Sequence, residues 1–346
     1  MNKRLLVAIA ALLGILTYGF IAGKNEPAEN EKKAVTEIPT VGVLQFVSHP
    51  ALDQIYQGMV DRLEERGFQD GKTVTIEFQN GQADHNKLTM MSQQLLDKKS
   101  DVLVGIATPA AQSLANVTKD IPIILGAITN PESAGLVASN EKPGGNITGV
   151  SDQSPVNSQI ELLKEILPEA QKIGILFSLA EDNSEFQVQM VEKEAKKRGL
   201  ETKRYAIPST NEITQMVSVM AGEVDVIYIP TDNTIANVMP TVTQIANQEN
   251  IPIIPSVDTM VAEGGLATIG INQYELGLQT GEMVADILEE KSEPATTPVY
   301  TFKTGDLIVN EKQMARFNVT LSKKRQEEAT FVTGEKEEKV DETTNE

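Results

Sequence analysis

The chain of 346 residues has no cysteine and no tryptophan, two histidines, and only 4% aromatic residues. Without cysteine there can be no disulfide staple, no thiolate nucleophile or thiolate metal ligand, and no lipid-modified cysteine to act as a membrane anchor. His49 and His85 are too few to build a histidine metal centre. No nucleophile is paired in sequence with an obvious base, so no catalytic residue, metal site or cofactor is expected. Positive charge is also scarce: 30 lysines and arginines face 49 acidic residues, a formal net charge of -19. Such a surface repels phosphate backbones and anionic headgroups, which argues against a nucleic-acid partner. The stretch GFQDGKT at 67–73 has a phosphate-loop look, but it is one residue short between its glycines and leads into a strand.

What the chain does contain is a long internal repeat. VGVLQF from Val41, a helical stretch ending in Gly67, DVLVGIATP from Asp101 and IPIIL from Ile121 reappear as IGILFS from Ile173, a stretch ending in Gly199, DVIYIPTDN from Asp225 and IPIIP from Ile251. A repeat of about 130 residues is too long for a solenoid and describes two whole α/β units. Apolar strands rich in Val and Ile alternate with helical stretches, the pattern of doubly wound parallel sheets. The expected architecture is two such lobes joined by a three-strand hinge, with a ligand cleft between them.

The ends differ from this pattern. Lys3 and Arg4 precede the uncharged apolar run 5–22, which at about 1.5 Å per residue is close to a bilayer core in length. It reads as a signal segment or an uncleaved anchor with the remainder outside the cytoplasm. Phe20 stands where cleavage after Ala22 would need a small side chain, which favours retention. The resulting division is a membrane anchor or signal segment over 1–23, a flexible stalk over 24–38, lobe one over 39–149 plus 272–297, lobe two over 150–271 plus 298–321, and a disordered acidic tail over 322–346.

In open α/β sheets ligands bind beyond the carboxyl ends of the strands, where helix N-termini offer free N–H groups. The loops at those positions supply the candidates. Gln45, Phe46, Ser48 and His49 follow the first strand. Thr108 is expected as an N-cap with Pro109 in the first helical position. Thr231, Asp232 and Asn233 occupy the matching loop of the second copy, with Asp232 the candidate for holding an ammonium group. Thr129, Asp152, Asp258 and Asn272 complete the polar set, and Phe46, Tyr56 and Tyr274 offer aromatic surface. Each of the last four polar residues alone is more often a turn or cap residue than a ligand contact; the shared place of the set at strand ends is what points to a small ligand such as an amino acid.

The pieces VGVLQFVSHPALDQIYQG, GIATPAAQSLAN, GAITNPESAGLV, NITGVSDQSPV, YIPTDNTIAN and GINQYELGLQTG resemble the ABC-transporter substrate-binding proteins of the type I periplasmic-binding-protein fold. Within them the chain is most similar to the tryptophan or aromatic amino-acid branch of Gram-positive bacteria. The resemblance spans about 39–319. It implies capture of an aromatic amino acid by hinge closure and delivery to a membrane ABC permease, on the extracellular face of the cytoplasmic membrane. It suggests that Thr108 and Ser48 receive the ligand carboxylate while Thr231, Asp232 and Asn233 lock the closed form. Gram-positive members are commonly lipoproteins, and the missing cysteine requires a different attachment here. A ligand-sensing ectodomain, an importer component for a different small solute and an exported enzyme are the alternatives. The chain carries neither an output domain for the first of these nor an evident base and nucleophile for the enzyme.

Overall fold

The computed structural model describes residues 38–333. The expected anchor and nearly all of the stalk lie outside them, and among the described residues no helix is long and apolar enough to cross a membrane.

The chain opens with β1 (Thr40–Gln45), α1 (Pro50–Glu65), β2 (Thr75–Asn80), α2 (His85–Asp97), β3 (Val102–Ile106), α3 (Thr108–Val117), β4 (Ile123–Gly126) and β5 (Ile147–Ser151). Side chains on β3, β4 and β5 are buried throughout, as expected for parallel strands covered on both faces. The chain continues with α4 (Val156–Ile166), β6 (Lys172–Ser178), α5 (Asp182–Lys197), β7 (Glu201–Ile207), α6 (Ile213–Ala221), β8 (Val226–Ile229), α7 (Asn233–Ala236), α8 (Met239–Gln248), β9 (Ile253–Pro255), α9 (Asp258–Ala262) and β10 (Ala267–Gly270). Then come α10 (Gln273–Leu288), β11 (Tyr300–Thr301), β12 (Asp306–Asn310), α11 (Glu311–Arg316), α12 (Lys323–Glu328) and β13 (Ala329–Val332).

The strands form a six-stranded sheet in the order β11-β5-β4-β3-β1-β2 and a four-stranded sheet β7-β6-β8-β9, both parallel. The sequence repeat is thus a repeat of topology: β2-β1-β3-β4 and β7-β6-β8-β9 have the same winding. Its details match as well. Asp101 accepts from the amide of Thr40 at 2.7 Å, and its counterpart Asp225 accepts from Gln171 and Lys172 at 2.8 Å, each fixing the start of a first strand. After α1 the amides of Gly67 and Phe68 return to Glu64 and Leu63; after α5 those of Gly199 and Leu200 return to Lys196 and Ala195. These are paired Schellman closures, with both glycines at positive φ.

A small third sheet, β10-β12-β13, pairs β10 and β12 antiparallel. The chain passes between the six-stranded half and the second half three times, at 152–155, 271–272 and 302–305, and none of these connections is a strand. The last crossing comes after β11, which pairs with β5, and so lies later than the expected boundary at 297.

Pro240 cannot sit inside a helix and occupies the first turn of α8, which is separate from α7. One expectation fails. The tail is ordered as far as Thr333: Ser322 caps α12, and β13 pairs in parallel with β12. A four-residue strand vanishes when composition is averaged over a long acidic stretch; residues 334–346 lie outside the described set.

Helix α10 returns to the first half and packs against α1 at backbone contact through Gly58, Gly277 and Gly281. A methyl group on Gly277 would collide with the Ile55 carbonyl and with Gly58, and one on Gly58 with the Tyr274 carbonyl. Backbone cannot yield as a flexible side chain can. Gly277→Ala is therefore expected to cost about 2 kcal/mol and to lower the melting temperature by about 5 °C; an unchanged melting curve would show that the helices are not in such close contact.

Candidate ligand-binding site

The carboxyl ends of β1, β3 and β4 face those of β6, β8 and β9, and a pocket lies between them. From the first half it is lined by His49, Ala51, Leu52, Ala107, Thr108, Ala127, Thr129 and Gln273, and from the second by Asn183, Thr231, Asp232, Asn233, Ala236 and Val257. Asp152 joins them from the first connection. The internal repeat extends into this lining: Ala51 and Asn183 are counterparts, as are Ala107 and Thr231, Thr108 and Asp232, and Ala127 and Val257. The pocket is nearly shut, with about 10 Å³ of free space, one water-sized sphere. A side cavity of about 320 Å³ adjoins it at Thr108 and Asn183, with Phe186 among its lining residues.

One wall carries donors. Helix α3 begins at Thr108 with Ala107 in the N-cap position, so no side-chain oxygen caps its first N–H groups. Pro109 has no N–H to contribute, which leaves those of Thr108 and Ala110, with the positive end of the helix dipole behind them.

Other lining residues carry acceptors. His49 Nε2 lies 3.2 Å from Asn233 Oδ1, and the Asn233 amide nitrogen donates to Glu181 at 2.6 Å. The amide orientation makes Nε2 the protonated ring nitrogen and leaves Nδ1 a bare lone pair, buried and without a partner. Burial pushes the His49 pKa down to about 4, more than its bond to Asn233 and the charge of Asp53 pull it up, so the ring is neutral at pH 7. Asn183 donates to the Thr231 carbonyl at 2.8 Å while its Oδ1 has no partner. Asp152 is buried, its Oδ1 is likewise unmatched, and desolvation raises its pKa to about 6 against a hydrogen bond from Thr129. All three unmatched buried atoms lining the pocket are therefore acceptors.

Asp232 is occupied differently. Its Oδ2 accepts from the Ser178 amide at 2.6 Å and the Ser184 hydroxyl at 2.8 Å, and its Oδ1 accepts from the Ile235 amide at 2.9 Å. Glu181, also buried, accepts from the Thr234 amide and hydroxyl at 2.7 and 2.8 Å. The two carboxyls are neighbours, and burial followed by the charge of Asp232 pushes the Glu181 pKa up. This pair organises the entry to α7 and through Asn233 holds His49 across the cleft.

Residues 40–333 match the family model for ABC transporter substrate binding protein. The chain belongs to that family. A tyrosine-binding protein of Clostridioides difficile (strain R20291) is 39% identical over 313 residues, covering 90% of each chain. An ABC domain from Streptococcus pneumonia solved in complex with L-Trp is 46% identical, covering 85% of this chain and 99% of that one, with a TM-score of 0.83. A ligand-free, open substrate-binding protein with adhesive properties from Clostridium difficile is 39% identical at similar coverage (85% and 99%), yet its TM-score is only 0.67. Identity differs little between the two structures. The halves described here thus stand more like those of the L-Trp complex than like those of the open protein.

Of the residues expected at the site, His49, Thr108, Thr129, Asp152, Thr231, Asp232 and Asn233 line the pocket. Eight others do not. Gln45 ties β1 to α1 by donating to Val47 and Asp53, and Ser48 donates to Asp53. Phe46 is wholly in the core against His85, and Pro109 is turned into the first turn of α3. Asp258 starts α9, and hydrogen bonds from the backbone amides of Thr259 and Gln273 partly offset the burial that raises its pKa to about 6. Asn272 caps α10. Tyr274 donates to Asp61 on an outer face, and Tyr56 packs on Phe78. The expected aromatic wall is absent from the lining; alanines stand there. Thr108 also lies one residue further into its helix than an N-cap. Asn183, Gln273, Ala107 and Ala127 were missed, although the repeat marks three of them as counterparts of other lining positions.

Proposed function

We propose that this substrate-binding protein captures an aromatic L-amino acid between its two halves and presents it to an ABC permease outside the cytoplasm. The observation that carries this reading is the sorting of unmatched groups: uncapped helical N–H groups on one wall and three bare acceptors elsewhere in the same lining. An amino acid supplies a carboxylate for the first and an ammonium with three N–H donors for the second. Asp152, with a free oxygen, takes the ammonium role, rather than Asp232, whose oxygens are engaged. The apolar side chains of Ala51, Leu52, Ala107, Ala127, Ala236 and Val257 offer apolar contact to a ring. The relatives named for tyrosine and solved with L-Trp support an aromatic ligand.

As the halves stand, the pocket has about 10 Å³ of free space, so the ligand enters when they part. The three connections act as the hinge, and ligand shifts the balance through its preference for the closed form. The apolar segment 5–22 serves as the tether or is cleaved to release the protein. Calorimetric titration with L-tryptophan, L-tyrosine, L-phenylalanine and L-leucine tests the reading. Binding at micromolar Kd or tighter, about -8 kcal/mol, is expected for an aromatic, with leucine about tenfold weaker or worse. No binding by any aromatic would remove the assignment.

A further inference from the structure

We infer that the methyl groups of Ala107 and Ala127 are specificity determinants of the pocket, setting the width of the slot in which the ligand's ring lies. This deepens the amino-acid reading above and rests on it.

Among the described residues, eight other than glycine have positive φ. Gln82, Ala83, Lys99, Asn250, Glu290 and Asn318 are exposed and lie in turns or just past helix ends, where a left-handed residue is ordinary. Ala107 and Ala127 alone among the eight are buried, and both line the pocket, at the ends of the adjacent strands β3 and β4. Ala107, at φ 74° and ψ 153°, occupies a region that is essentially reserved for glycine. Ala127 has φ 63°.

The fold does not demand these conformations. Their repeat counterparts, Thr231 and Val257, are at the ends of β8 and β9 in the second half and have no positive φ; Val257 is extended at φ -110°. Nor is glycine kept out of this region. It stands at Gly105 and Gly126, where an added Cβ would press on Ala111 and Ile106. Glycine thus appears where space forbids a side chain, whereas alanine is kept where the backbone would favour glycine. A methyl retained against backbone preference in a ligand pocket has its use in contact with the ligand.

The test compares full-length wild type with Ala107→Gly, Ala127→Gly and the double variant, measuring the melting temperature and the affinities for L-phenylalanine, L-tyrosine and L-tryptophan. Expected are unchanged or higher melting temperatures, affinity losses of about fivefold per site, and a Trp-to-Phe affinity ratio shifted at least threefold toward tryptophan as the slot widens. Two results would overturn the inference while leaving the amino-acid reading in place. One is unchanged affinities in the glycine variants. The other is melting temperatures that fall with equal losses for all three ligands, which would make the methyls core packing. A wild type that binds none of the three overturns the underlying reading and this inference together.

Discussion

Asp152→Asn is expected to weaken aromatic amino-acid binding by about 100-fold or more while leaving the ligand-free protein at least as stable as wild type. The carboxylate is buried in the first connection with one oxygen unmatched, and burial raises its pKa to about 6. Without ligand at pH 7 it is therefore an uncompensated cost, which asparagine removes at nearly constant shape. With ligand it becomes half of a buried ion pair, and removing one partner of such a pair costs about 3–5 kcal/mol, or about two to three and a half decades in Kd. Asp232→Ala should fail in the opposite manner. It strands the buried donors of Ser178, Ser184 and Ile235, at about 1–3 kcal/mol each for unsatisfied groups. Its loss appears first as a lower melting temperature. Calorimetry and thermal melts on the two variants separate the roles. If Asp232→Ala abolished binding in a fully stable protein while Asp152→Asn bound normally, the ammonium would belong to Asp232.

Acidification is expected to weaken binding about 30-fold between pH 7.5 and pH 5 through His49 alone. In the open form this ring meets water and titrates near its ordinary pKa of about 6.5; in the closed form burial lowers it to about 4. A depressed histidine pKa means that protons bind the open form preferentially. The full closure free energy is present above pH 6.5 and is lost progressively as pH falls from 6.5 toward 4, about tenfold per unit. The charged or titratable groups facing the ring are Asp53 on its own helix and, beyond Asn233, the Glu181 and Asp232 pair. Asp152 acts in the same direction on binding, since the ammonium needs it ionised and it is protonated increasingly below about pH 6. His49→Gln keeps a donor for Asn233 and removes the titration, so its profile should be flatter by about the histidine share. A wild-type Kd constant from pH 7.5 to 5 would contradict the closed environment of His49.

The repeated architecture was legible because parallel strands buried on both faces leave apolar runs, and because Gly67 with Gly199 and Asp101 with Asp225 perform the same backbone tasks in each copy. The strand-end loops were legible too, and about half of the residues named from them line the pocket. Which side chain in each loop turns inward was not legible. Phe46 and Gln45 are one and two residues from Val47, close to His49, and both face the core or α1. Asp232 looked like a ligand carboxylate because sequence shows its charge but not the amides of Ser178 and Ile235 that consume it. Ala107 and Ala127 carry no polar signal at all, and their positive φ exists only in three dimensions. The strand at 329–332 was hidden by its acidic surroundings.

The proposed ammonium site of His49 Nδ1, Asn183 Oδ1 and Asp152 Oδ1 is probed by titrating the protein with L-tryptophan and with indole-3-propionate, which keeps the ring and the carboxylate and lacks the amine. At least about a 100-fold loss is expected for the des-amino compound, because it strands a buried carboxylate and two further acceptors. Equal affinity for the two would contradict it.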